Sequence, residues 1–199
     1  MDTDQISRTA RMVGVAIVAA YVVGVAGVAS VALSVLFVAA GEPWGTLIDV
    51  ALLVMTGAIA PLMLAFYELG GLTPTPLARV AQAAGWMAVL TWCVVEVLMI
   101  VGAIGFEFDR AAGGPFAVWA GALVVIGSWV GGANLLAGLW LGRVRWLGVV
   151  AGIGVMALGI GLLLGGANQP LTYLGGVIYQ FGVPVWGLLM ARELRLLDR

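Results

Sequence analysis

The sequence predicts an all-α membrane protein, a polytopic bundle of six transmembrane helices joined by short loops. Three observations predict it. Hydrophobic residues make up 63% of the 199-residue chain and charged residues only 10%, with a mean hydropathy of +1.13. A soluble domain carries about 25% charged residues, so this chain has too few to cover itself with a polar surface. The apolar residues gather into runs of about 20 or more, the length that crosses a bilayer. Finally, the arginines gather in alternate loops.

Span 1 covers about 12–39 and is rich in Val, Ala and Gly. Arg8 and Arg11 precede it, as basic residues precede the core of a signal peptide. The run is roughly twice the 7–15 residues of such a core, so a retained first span is expected. The loop GEPWGT follows, with Thr46 as the expected N-cap of span 2, about 47–67. Pro61 inside span 2 predicts a kink or a locally broken hydrogen-bond ladder. After the turn Leu69-Gly70-Gly71-Leu72-Thr73-Pro74, Thr75 as N-cap and Pro76 at the first helical position open span 3, about 77–104. Gly114-Pro115 opens span 4, about 116–141. Gly142-Arg143-Val144-Arg145 separates it from span 5, about 146–164, and Asn168-Gln169-Pro170 opens span 6, about 171–191.

With six spans, the side that holds the N-terminus collects Arg8, Arg11, Arg79, Arg143, Arg145, Arg192, Arg195 and Arg199. The other side has only Arg110, in the company of Glu107 and Asp109. That asymmetry is the positive-inside pattern and predicts a bacterial-type inner (plasma) membrane protein with both termini cytoplasmic. A missed span would scramble it. Trp44, Trp119, Trp140, Trp146 and Tyr173 are expected at membrane edges, where amphipathic rings settle, and Trp86, Trp92 and Trp129 deeper, as packing residues.

Thirty glycines form the second signature. Small-xxx-small pairs recur at Gly127 and Gly131, Gly138 and Gly142, Gly148 and Gly152, and Gly161 and Gly165. Small residues let helix backbones approach closely, which replaces the hydrophobic drive that lipid removes. Packing within one chain is the simplest use of them; a homo-oligomer or a partner membrane protein meeting one such face is the other. No residue correspondence relates spans 1–3 to spans 4–6 as an inverted repeat would.

Several function classes are disfavoured by absent residue types. The chain has no His, which removes the commonest metal ligand and the usual general base, and no Lys, which removes a Schiff-base cofactor such as retinal. No cofactor is expected. One cysteine, Cys93, makes no intrachain disulfide. Ser-His, Cys-His, zinc and Ser-Lys mechanisms all lack a member. Asp49 and Asp109 fall at the outer edge, where an intramembrane two-aspartate protease cannot use them. No basic patch suggests nucleic acid.

One stretch stands out, GWMAVLTWCVVEVLMIVGAIG from Gly85 to Gly105, because Glu96 lies in it with no basic residue in the span. A charged residue at a helix centre costs about 2.5–3.5 kcal/mol on insertion scales. A carboxyl buried without a cation is therefore expected to hold its proton at neutral pH. Trp92 and Cys93 lie one turn before it and Met99 and Ile100 one turn after. Glu96 is either a proton-carrying or substrate-binding acid, or a protonated residue bonded to a neighbouring span. Gln180, Thr56 and Ser128 are the other polar residues near the middle of spans 6, 2 and 4, and Asn134 lies about one and a half turns further toward the cytoplasm in span 4. They are the candidates to line a polar cavity with Glu96, or else each bonds a passing carbonyl. Gln180 is the first expected partner, since an amide serves an acid in either protonation state.

From Arg145-Trp146-Leu147-Gly148 through a Gly-rich span to Pro184-Val185-Trp186-Gly187-Leu188-Leu189, the last quarter resembles a bacterial family of six-span membrane proteins catalogued as a domain of unknown function. The resemblance implies the six-span count and no activity. Two expectations remain: a small carrier or channel-like protein with Glu96 as its protonatable centre and an unidentified small-molecule or ion substrate, or a non-catalytic membrane scaffold that packs against partners or binds a lipid or other apolar ligand between its helices.

Overall fold

The computed structural model describes residues 3–69, 75–104, 114–136 and 142–197. It contains six α-helices: α1 (Thr3–Ala40), α2 (Trp44–Leu69), α3 (Pro76–Ile100), α4 (Pro115–Leu136), α5 (Val144–Gly165) and α6 (Pro170–Leu197), with a 3-10 turn, Gly166–Asn168, before the last. All six are long and apolar enough to cross a membrane.

The helices differ from the apolar runs at their ends, for physical reasons. α1 starts nine residues before the run and α6 ends six residues after it, because polar turns continue a helix that hydropathy alone does not register. At 38 residues, α1 is about 57 Å long, well over the hydrocarbon thickness of about 30 Å. α3 stops at Ile100 although the apolar run continues: Val101 donates back to Val97 and Gly102 takes φ +70°, a left-handed turn that favours glycine. Thr75 caps α3 as expected, its hydroxyl accepting from the Ala78 N–H at 3.2 Å. Thr46 is not the cap of α2. The helix starts at Trp44, and the Thr46 N–H and hydroxyl both donate to the Glu42 carboxylate, at 3.4 and 3.3 Å. α2 runs on as helix through Pro61, and α6 does the same through Pro184.

Each helix packs against the next in sequence, and α6 closes on α1, so the principal seams form a ring of six. Successive helices run antiparallel, and glycines set several of the seams. Between α1 and α6, Gly24 meets Gly187 and Leu188, and the Pro184 ring seats on Gly27. Between α4 and α5, Gly152 lies against the backbone of Gly127 and Gly131. Between α5 and α6, Gly175 lies against the backbone of Gly154 and Leu158. Near the C-terminal end of α6, the Arg195 guanidinium sits over the Tyr21 ring, about half-way along α1, at 4.5 Å.

The middle of the ring is filled by large side chains from helices that are not neighbours. Trp92 of α3 meets Tyr179 of α6, and Phe66 of α2 meets Trp129 of α4 edge to face, with ring centroids 5.9 and 6.0 Å apart. One expectation for the tryptophans is corrected: Trp86 is 46% exposed instead of packed, while Trp119, in the first turns of α4, is buried against its neighbours. Trp146 and Tyr173 are exposed. Trp140, Glu107, Asp109 and Arg110 lie outside the described residues.

Candidate functional site

Glu96 owes its position to the inward stripe of α3. Gly85, Ala88, Val89, Trp92, Val95 and Glu96 are the buried residues of that helix, spaced by three and four as one helical face requires. Glu96 is fully buried and faces its fellow helices. Since α3 ends at Ile100, the acid sits one turn from the helix end, shallower than the longer apolar run suggests.

Its first partner is on its own helix. Trp92, four residues earlier, donates its indole N–H to Glu96 Oε1 at 2.5 Å, with both groups buried. The indole is itself held: Trp119 of α4 stands edge-on to it at 6.2 Å and Tyr179 of α6 tilts against it at 46°. Phe116 then packs edge-on to Trp119 at 6.1 Å. Three helices thus fix one ring, and that ring aims one carboxylate oxygen.

The other oxygen, Glu96 Oε2, makes no hydrogen bond among the described residues, and neither do the buried hydroxyls of Thr56 and Tyr179. The antiparallel register that sets Met63 beside Gly85 brings Thr56 level with Trp92. Tyr179 and the half-buried Asp49 of α2 both lie near enough to interact electrostatically with Glu96. An unmet buried donor or acceptor costs about 1–3 kcal/mol. Native interiors contain few of them, and each calls for an explanation such as a bound proton, ion, water or ligand. The site therefore combines one carboxyl, the Tyr179 hydroxyl with spare hydrogen-bonding capacity and a wall of aromatic rings, with the unmet Thr56 hydroxyl about one turn away along the bundle.

The remaining predicted residues fall elsewhere. Gln180 does not reach for Glu96. It turns toward α1, where its Nε2 donates to Ser34 Oγ at 3.3 Å, while its neighbour Tyr179 takes the inward position. Ser34 and Ser30 in turn donate to backbone carbonyls one turn earlier in α1, both at 2.8 Å. Ser128 is exposed and bonds the Val124 carbonyl at 2.7 Å and the Met156 sulfur at 3.4 Å. Asn134 is fully buried, but fifteen residues beyond Trp119, about 22 Å along α4. There its Nδ2 donates to the Val130 carbonyl at 2.8 Å and its Oδ1 accepts the Trp186 indole N–H of α6 at 3.1 Å. That is a satisfied tie between two helices, packed against Gly148 of α5, where any side chain would collide with the amide.

The structure thus sets Thr56 about one helical turn from the level of Glu96, places Gln180 and Ser128 on other contacts, and gives Asn134 a separate structural tie. Tyr179 and Trp119 were not among the sequence candidates, and Trp92 was read there as packing. The spacing of four between Trp92 and Glu96 was the available signal for that bond. Among the described residues no group of three His, Cys, Asp or Glu side chains is placed to hold a metal ion. No family model, no curated protein and no solved structure matches the chain.

Proposed function

We propose that the chain is a small inner-membrane carrier or channel-like protein in which Glu96 is the protonatable centre. The observation that carries this is the unfilled hydrogen-bonding capacity of the buried Glu96 Oε2, beside the unmet hydroxyl of Tyr179, whose ring packs against Trp92. An acid kept only to fasten helices would have its second oxygen satisfied, as both ends of the Asn134 amide are. Intramembrane acids that face a bundle interior generally mark ion, proton or substrate sites. Cytoplasmic termini are part of the proposal, supported by the arginine distribution and by the antiparallel packing of α6 on α1, in which Gly24 meets Leu188 and Gly27 meets Pro184. So is kinship with the six-span family that Arg145-Trp146-Leu147-Gly148 resembles, which adds no activity.

The test compares wild-type protein with Glu96→Gln in liposomes that hold a pH-sensitive dye, under a potassium-diffusion potential. Wild-type protein is expected to carry protons and Glu96→Gln to fall to the rate of empty liposomes, with a melting temperature no lower than wild type. Equal flux in the two proteins would reject the carrier role of this residue. The second reading is a non-transporting component that packs against partner subunits or holds an apolar ligand. It is favoured by the Asn134–Trp186 tie and the glycine-to-backbone seams, which suit a rigid body, and it predicts no proton flux in either protein.

A further inference from the structure

Resting on the carrier reading of Glu96, the geometry points to the class of substrate: a lipophilic organic cation, bound against Trp92, Trp119 and Tyr179 with Glu96 as counter-ion and exchanged for the proton on that carboxyl. The surroundings of the acid select this class. A hard metal ion typically takes six or more oxygen ligands, whereas among the described residues the oxygens with spare capacity here are few and the neighbouring side chains are aromatic. An aromatic face attracts a cation within about 6 Å of its centroid, most strongly for Trp, and cages of such rings recognise quaternary ammonium groups. One carboxyl neutralises one positive charge. It holds either a proton or the organic cation, and binding the cation releases the proton to water, so charge and atoms balance.

The placement of α3 supports entry from the membrane. This helix carries the acid and has the two lightest seams of the ring, against α2 and α4. Its close approach at Gly85 is to the flexible Met63 side chain and the Trp129 ring, not to backbone, unlike the glycine seams of α4, α5 and α6. Parting α3 from a neighbour opens the aromatic wall toward lipid, where a lipophilic cation is already concentrated. Among the described residues, the titratable groups that face Glu96 are Asp49 on α2, Tyr179 on α6 and Cys93 on its own helix, while α4 contributes none. Asp49, half-buried, adds a second negative charge of the sign that attracts such a substrate.

Tetraphenylphosphonium is the probe. Purified protein in detergent is titrated with it by calorimetry and by tryptophan quenching, against empty micelles. Saturable binding of one cation per chain is expected, about tenfold or more weaker in Glu96→Gln. In weakly buffered solution wild-type protein is expected to release up to one proton per cation bound, with affinity rising as pH is raised until the acid is fully ionised. This measurement needs no variant to fold. Binding no greater than that of empty micelles, binding without proton release at every pH, or tryptophan quenching by sodium ions in place of the probe would overturn the proposal. If any of these occurs while Glu96-dependent proton flux persists in liposomes, the substrate class is wrong and the carrier reading survives. If the flux is also absent, both fall.

Discussion

At the scale of single residues, the chain contains two kinds of buried polar group, and they make opposite demands. Asn134 has both ends of its amide engaged, one within α4 and one across to Trp186, so its contribution is to stability. Asn134→Ala leaves the Trp186 N–H without its acceptor in the core. A loss of about 1 kcal/mol is expected, within the range of measured interhelical polar bonds in membranes, and is read as a lower melting temperature in detergent with proton flux kept. Ser128→Ala removes only an exposed back-bond to Val124 and a contact with Met156, and should shift stability by under about 0.5 kcal/mol. If the two substitutions prove equal, the division between structural and exposed polar residues fails. Glu96 was legible in the sequence because an acid in an apolar span has few explanations. Its companions were not. Gln180 is the more polar of the two adjacent residues on α6, yet Tyr179 is the one that faces the acid. A helix that is apolar all round gives no stripe from which to read its inward face.

At the scale of helices, close approach decides the seams. A methyl group placed on Gly152 would lie 2.6 Å from the Gly127 carbonyl oxygen and 2.7 Å from the Gly131 Cα, both backbone atoms that cannot swing aside. Gly152→Ala must therefore part α4 from α5, and a loss of about 1–3 kcal/mol is expected, the usual cost of overpacking. Gly121, on α4, has open space where its side chain would stand. Gly121→Ala should leave stability unchanged or raise it by up to about 1 kcal/mol through helix propensity. Thermal unfolding of the two variants side by side separates a packing role from a general dislike of larger side chains. Helix number and order were legible because the apolar length needed to span a bilayer is a strong constraint. The ends were less so. Hydropathy marks the apolar segment, whereas α1 and α6 continue through polar turns and α3 is stopped by a left-handed Gly102 inside an apolar run.

At the scale of the whole molecule, the antiparallel closure of α6 on α1 makes a claim about faces of the membrane that labelling can decide. Single cysteines at Ala10 and Leu196 lie near the helix ends of one face, and one at Glu42 lies on the other; all three positions are exposed. In a Cys93→Ala background, a membrane-impermeant maleimide added to intact cells should modify the cysteine at position 42 and spare those at 10 and 196. Inverted membrane vesicles should reverse the pattern. Two separate physical causes meet in this result. The ring geometry requires positions 10 and 196 to behave alike and opposite to 42, whichever way the protein is inserted. The arginine asymmetry alone selects which side is cytoplasmic. If 10 and 196 react from opposite sides, the six-helix ring is wrong. If they react together from outside, the ring stands, the orientation is reversed, and Glu96 with Asp49 lies nearer the cytoplasm.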